Sequence, residues 1–409
     1  MSGLLVRGGR LPSEKRADIK IVSGKIAEVS ENLEKSGKVI DAEGLTLFPG
    51  ITDVHVHLRE PGFSEKETIK SGTAAAAKGG VTTVLSMPNL NPSPDCLKNL
   101  QVQLDIINKD ALVKVIPFGA LTKNSESKAL SELAEIAPFV TGFTDDGRGY
   151  TNLKLLEEAM KIAKKLNKVI ASHAEAEGLG FSPAAEYTAV ERELELVKKT
   201  SCDYHFCHIS TEESLGLIKR AKAEGLPVTY EITPHHFLLS EKDIASADFK
   251  MNPPLRAEKD RDAALSAVRC GEADMLATDH APHTEAEKSL PYDKAPNGII
   301  GLETLLPLAY TYLVANGKIS LEKLAYLLCE SPNRRFNLPI CTFKVGDCAD
   351  FSLIETQKYR TYQKAEILSK SKNSPFIGRT LTGYPVLTVA GGRVVYFDND
   401  YFAKEDFDG

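Results

Sequence analysis

The feature that most constrains this chain is an alternation. Near-continuous apolar runs occupy residues 51–58 (ITDVHVHL), 81–88 (VTTVLSMP), 113–121 (VKVIPFGAL), 139–146 (FVTGFTDD), 168–175 (KVIASHAE), 204–210 (YHFCHIS), 227–234 (PVTYEITP) and 275–282 (MLATDHAP). Runs this apolar suit strands buried on both faces of a parallel sheet. Helical patterns fall between them. Residues 67–78 are Ala-rich, and 211–223 open with Thr211 and an acidic first turn. Across 152–166, Leu153, Leu156, Met160, Ala163 and Leu166 recur at helical steps. Eight strands alternating with helices fit an α/β fold of the closed (β/α)8 TIM-barrel type better than its rival, an open doubly wound sheet.

The two ends read differently. Residues 1–49 contain LLVRGG, ADIKIVSGKIAEVS and KVIDAEGLTLF, and residues 341–397 contain ADFSLIE and LTVAGGRVVYF. These are short strands with glycine turns and no helical alternation. The simplest organisation joins 1–49 and 341–409 as the two parts of one small β-sandwich, around a catalytic barrel over 50–340. The 409 residues suit one barrel plus an accessory unit. Apolar residues at 42% and charged residues at 26% exclude a disordered chain. The net charge of −6, with no dense basic block, argues against nucleic acid as a partner. No run is long enough for a signal peptide or a membrane span. The seven cysteines are scattered without a CxxC pair, which suits reduced thiols in a cytoplasmic protein.

All nine histidines lie in or just beyond five of these runs. A parallel barrel gathers its strand C-termini at one mouth, so distant residues converge there. His55 and His57 are two apart and face the same side of a strand. With His173, His208 and Asp279 at other strand ends, they call for a divalent cation with mixed nitrogen and oxygen ligands, zinc first. Asp145 and Asp146 face opposite ways, so one can reach a metal while the other bonds backbone. His205 should face away from His208, and His280 away from Asp279. His235 and His236 suit places behind the cluster. His283, past Pro282, suits a substrate contact in the loop over the mouth. Arg59, in HLREPG, offers a fork for a substrate carboxylate, against a surface salt bridge with Glu60 or Glu65. Asn89 and Asn252, beside prolines, are candidates for orienting a polar substrate or for forming turns.

Taken in order, FPGITDVHVHLREPG, KGGVTTVLSMPN, GFTDDG, SHAE, CHIST, ITPHH, KMNPPLR and ATDHAPH closely resemble the dihydroorotases of the amidohydrolase superfamily, in their larger bacterial and archaeal form. The resemblance implies a distorted TIM barrel with a composite β-sandwich. It implies zinc-dependent, reversible hydrolysis of dihydroorotate to N-carbamoyl-L-aspartate in de novo pyrimidine (UMP) biosynthesis. By the same resemblance, His55, His57 and Asp279 hold the more buried zinc, and His173 and His208 hold a second. Asp146 bridges the two, where many relatives use a carboxylated lysine; residues 139–146 contain no lysine. Asp279 is the catalytic base and acid. Arg59, Asn89 and His283 grip the substrate carboxylate, Asn252 contacts the ring, and Asn297 and Gly298 form a further substrate-contacting pair. A homodimer and an association with aspartate transcarbamoylase are implied partners. Two departures stand out: Asn297 replaces a common aromatic residue, and the loop EAEGLGFSPAAEYT after the fifth strand is short. The competing functions are another cyclic amidohydrolase, such as a hydantoinase or allantoinase, and a silent scaffold for aspartate transcarbamoylase. Arg59 and Asn89 argue against the first, and the complete ligand set against the second.

Overall fold

The computed structural model describes residues 3–35 and 37–403. The outermost residues of the two expected β-flanks, 1–2 and 404–409, lie outside the described residues.

Each of the eight apolar runs contains a strand. Ile51–Val56, Val81–Ser86 and Lys114–Pro117 form one parallel sheet. Gly119–Ala120, Gly142–Thr144, Val169–Ser172, Tyr204–Phe206, Val228–Ile232 and Met275–Leu276 form a second. The two arcs meet at both ends. The third run passes from one sheet to the other at Phe118, whose N–H bonds to the Ser86 carbonyl at 2.9 Å. At the far end Val56 bridges to His280 in parallel, and His57 N–H bonds to the His280 carbonyl at 2.8 Å. The result is a (β/α)8 barrel whose hydrogen-bond ladder is interrupted at two seams. The strands are shorter than the apolar runs. The fourth run, for example, begins in a short 3-10 turn, Ala137–Phe139, that contains Pro138, and proline cannot join a ladder as a donor.

The expected helices form at Ile69–Lys78, Leu153–Lys165 and Glu212–Ala223, and each has a local reason to start. Thr68 and Ser71 make a reciprocal capping box, Asn152 accepts from Leu155 N–H, and Thr211 accepts from Ser214 N–H. Leu156, Ala159, Met160 and Ala163 form the buried face of Leu153–Lys165. The loop after the fifth strand needs correction. EAEGLGFSPAAEYT is not all loop, because the helix Pro183–Thr200 begins inside it. Proline at the first helical turn loses no hydrogen bond and has the right φ, so the loop stops at Ser182.

The flanking strands share one sheet. Its order runs from Arg393–Phe397 through Tyr384–Ala390, Phe351–Glu355, Thr46–Pro49, Leu4–Arg10 and Arg16–Val22 to Lys25–Ser30. The chain ends meet where Thr46–Pro49 pairs antiparallel with Phe351–Glu355. Leu4–Arg10 divides its second edge between Lys38–Asp41 and Thr46, which splits the layers around a separate core containing Ile19, Leu47, Phe351 and Leu387. Thr46–Pro49 then runs through Gly50 directly into the first barrel strand. A side chain at Gly50 would collide with the Thr82 hydroxyl and the Asp350 carbonyl, so only glycine fits this junction.

Candidate active site

The barrel mouth brings together four imidazoles and two carboxylates. His55 Nε2 lies 3.4 Å from Asp146 Oδ1 and 3.3 Å from Asp279 Oδ1. His57 Nε2 lies 3.4 Å from Asp146 Oδ2 and 3.2 Å from Asp279 Oδ1. On the other side of Asp146, His208 Nε2 is 3.5 Å and His173 Nδ1 is 3.8 Å from Oδ1. The donor atoms of His55, His57 and Asp146 form one group within metal-ligand reach, and those of Asp146, His173 and His208 form another. Asp146 belongs to both. Its neighbour Asp145 turns the other way and accepts from Leu121 N–H at 2.9 Å and Thr122 N–H at 3.0 Å.

A cation fits this donor set for two physical reasons. His55 Nε2 and Asp146 Oδ1 are buried side by side with no hydrogen-bond partner, an arrangement that is costly unless something satisfies both. The electrostatics of the cluster point the same way. Burial alone would favour neutral His55, yet Asp146, Glu231 and Asp279 drive it well above the usual histidine range. Burial alone would raise Asp146 and Asp279, yet the surrounding imidazoles hold both well below the usual carboxylate range. Both shifts ask for positive charge at the centre. Imidazole and carboxylate donors suit zinc or a similar borderline cation.

The next ring of residues fixes these side chains. Glu231 accepts at 2.7 Å from His55 Nδ1 through one oxygen and at 3.0 Å from His205 Nε2 through the other. His205 therefore points away from the cluster but braces it through Glu231. Asn89 Oδ1 meets His57 Nδ1 at 2.8 Å, and its amide N–H donates to the Asp146 carbonyl. Glu175 accepts from His173 Nε2 at 2.9 Å and from Asn252 Nδ2 at 2.8 Å. His236 donates to the Pro253 carbonyl at 3.0 Å, and His280 faces Glu67 at 3.4 Å. Sequence reasoning missed Glu231 and Glu175. For Glu231 a signal existed: an acidic residue inside the apolar run PVTYEITP must have a buried partner.

A cavity of about 270 Å³ opens over the cluster, lined also by Arg59, Asn89, Asn252, Asn297 and Gly298. Arg59 has no carboxylate partner among the described residues. Its Nε donates to the Pro282 carbonyl at 3.3 Å, and its fork approaches His283 at 3.4 Å. The salt bridge with Glu60 does not form, because Glu60 caps Ile69 N–H at 2.8 Å. His283 sits behind Arg59 rather than on the cavity wall. Burial, then the charges of Arg59 and Lys66, push it down to about 3, so it is a neutral ring that donates to the Asn297 carbonyl at 2.7 Å. Gly298 has φ +136°, and a Cβ there would meet the Ala281 carbonyl at 2.5 Å.

With this geometry in place, comparison with known proteins is decisive. A Bacillus cereus (strain AH820) protein named dihydroorotase is 41% identical, over 96% of this chain and 98% of its own. The chain belongs to the dihydroorotase family. A dihydroorotase from Fusobacterium nucleatum subsp. nucleatum is 40% identical over 94% of this chain and 96% of its own. The family model described as Dihydro-orotase-like matches residues 44–192. Among solved structures, the L-hydantoinase (dihydropyrimidinase) of Arthrobacter aurescens superposes with a TM-score of 0.88 at 26% identity. The match covers 100% of this chain and 99% of that one. The D-hydantoinase of a Thermus species gives a TM-score of 0.88 at 25% identity, over 99% and 97% of the two chains. Dihydroorotases and hydantoinases are metal-dependent cyclic amidohydrolases, and this chain is an enzyme of that kind. No helix among the described residues is long and apolar enough to cross a membrane.

Proposed function

We propose that the protein is a dihydroorotase, hydrolysing (S)-dihydroorotate to N-carbamoyl-L-aspartate and catalysing the reverse closure in pyrimidine biosynthesis. The observation that carries this reading is Arg59: a cation lining the cavity beside the imidazole–carboxylate cluster, with no carboxylate paired to it among the described residues. Such a group selects a cyclic amide that itself carries a carboxylate, which hydantoin and dihydrouracil lack.

We assign two zinc ions per chain: His55, His57 and Asp279 would hold one and His173 and His208 the other, with Asp146 belonging to both donor sets. Bound there, divalent ions polarise an amide carbonyl and make water easier to deprotonate. The remaining steps belong to the chain. Arg59 takes the substrate carboxylate in its fork and fixes the ring against the cluster. Asn89 and Glu231 hold His57 and His55 in register, and Asn252 and Glu175 do the same for His173. Asn252, Asn297 and Gly298 face the ring, while His283 lies beside Arg59 and holds the Asn297 carbonyl. Asp279, kept ionised by its surroundings, accepts the proton of the attacking water and returns it to the ring nitrogen as the C–N bond breaks. Hydrolysis turns a neutral ring amide into a carboxylate and releases a proton. Closure therefore consumes one and is favoured as pH falls.

The test is an assay of purified protein with dihydroorotate and with hydantoin, alongside elemental analysis. Turnover of dihydroorotate in preference to hydantoin, with close to two zinc ions per chain, is expected. Preference for hydantoin would return the reading to the hydantoinase alternative, and inactivity with both would favour the silent scaffold. A cytoplasmic location, a homodimer and a contact with aspartate transcarbamoylase extend this reading; light scattering with and without the transcarbamoylase tests the last two.

A further inference from the structure

The segment 364–374 lies between two short strands of the C-terminal flank, Arg360–Thr361 and Thr380–Leu381. It packs against the loops that follow the first and last barrel strands and is tied down along its length. Leu368 N–H and Ser369 N–H bond to Glu303 at 2.7 and 3.2 Å. Lys370 N–H bonds to Glu67 at 3.0 Å, and the Ser371 hydroxyl to the Lys66 carbonyl at 2.6 Å. These bonds deliver Asn373, only 3% exposed, to the two loops that carry His283 and Gly298.

The Asn373 side chain joins two loops. Its Oδ1 accepts from His283 N–H at 3.3 Å. Its Nδ2 donates to the Gly298 carbonyl at 3.0 Å and approaches the Ala281 carbonyl at 3.4 Å. Its backbone carbonyl accepts from Ile300 N–H at 2.9 Å. Ala281 and His283 flank Pro282, whose carbonyl receives Arg59 Nε. One buried amide thus grips the backbone on both sides of the Arg59 anchor and ties it to the loop carrying Asn297 and Gly298.

We propose that Asn373 is a positioning residue for the anion site: by bracketing Ala281, His283 and Gly298 it sets where the Arg59 fork lies. The C-terminal flank thereby tunes selection of carboxylate-bearing rings. This rests on reading Arg59 as the grip on the substrate carboxylate. An amide suits the place because it offers an acceptor and two donors at fixed angles, matching one N–H and two carbonyls.

The experiment uses full-length, metal-loaded enzyme carrying Asn373→Ala or Asn373→Asp, each also combined with Arg59→Ala. Asn373→Ala should raise KM for dihydroorotate by about 10-fold or more, because misplacement of a positioning group is felt strongly. Its metal content should equal wild type. Asn373→Asp keeps the volume and the acceptor but turns an anion toward two carbonyls, and should be at least as damaging. In the Arg59→Ala background either change should alter kinetics by less than about two-fold, since coupled residues are not additive. A wild-type KM in Asn373→Ala would overturn the proposal, and so would equal losses with and without Arg59. If Asn373→Ala does not fold, the same two outcomes are read from Asn373→Asp. Failure of wild type to act on dihydroorotate sinks the functional reading; an active wild type with indifferent variants sinks this inference alone.

Discussion

Three residues that touch the cavity hold left-handed backbones although none is glycine: Arg59 at φ 61°, His208 at 34° and Asp279 at 49°. Each such conformation costs on the order of 1–3 kcal/mol and persists only where the surroundings enforce it. All three follow a barrel strand, where the chain must turn while aiming a side chain at the mouth. If Arg59 grips the substrate, Arg59→Lys should weaken catalysis although the charge is kept, because the fork is lost. A cost of about 2–4 kcal/mol is expected, roughly 30- to 1000-fold in kcat/KM. Metal content should be unchanged. If charged and uncharged ring substrates suffered equally, Arg59 would be structural. Away from the site, Glu193 is buried and accepts from Ser172 at 2.7 Å and Tyr204 at 2.9 Å. Burial pushes it up to about 7. A raised carboxyl stabilises the fold only while protonated. That contribution is complete below the unfolded value near 4.5 and is lost as pH rises towards 7. Glu193→Gln should therefore stabilise the fold at pH 8 by roughly 1–3 kcal/mol, with the gain closing towards pH 5. Urea denaturation at the two pH values measures it, and a pH-independent effect would contradict it.

At the scale of the element, much was readable because period and punctuation agreed. The eight strand positions followed from apolar runs bounded by turns, and Leu153–Lys165 followed from its apolar spacing. Strand ends carrying histidine and aspartate could be placed at one mouth because parallel strands all point the same way. Side-chain pairing across the barrel was not readable, since it depends on register. Glu231 illustrates this. Its strand was recognised, but its two partners come from other strands, and only register shows that one carboxylate serves both His55 and His205. Asn373 was invisible for the same reason: it acts from the segment that reads as sandwich. The role of Glu231 has a measurable consequence. Glu231→Gln keeps the shape but removes the charge that orients His55. It should weaken metal affinity by about 10- to 100-fold, as such partners do elsewhere. Competition with a chelator reads this directly. An unchanged metal affinity would mean that His55 needs no support from behind.

For the whole molecule, the seams decide how stability and metal binding are linked. The barrel closes at Val56 and His280 through a single parallel bridge, next to Met275–Leu276, one of its shortest strands. Here His55 and His57 stand on one side and Asp279 on the other, with contacts of 3.2 and 3.3 Å. The backbone at this seam is weak, and the proposed ligands span it. A bound ion would act as a cross-link where the ladder is thin, in a ring where buried His55 Nε2 and Asp146 Oδ1 otherwise have no hydrogen-bond partner. Binding to the folded state alone adds about 2.7 kcal/mol when ligand exceeds its dissociation constant 100-fold. Removing the metal with a chelator should therefore lower the thermal midpoint, and adding zinc back should restore it. The loosening should also be local. Hydrogen exchange should rise at 55–58 and 275–283 well before it rises in the flanking sheet, where Phe351–Glu355 pairs along both edges with Thr46–Pro49 and Tyr384–Ala390. Equal exchange in barrel seam and sheet, or a midpoint indifferent to metal, would show that the barrel closes without help from its ligands.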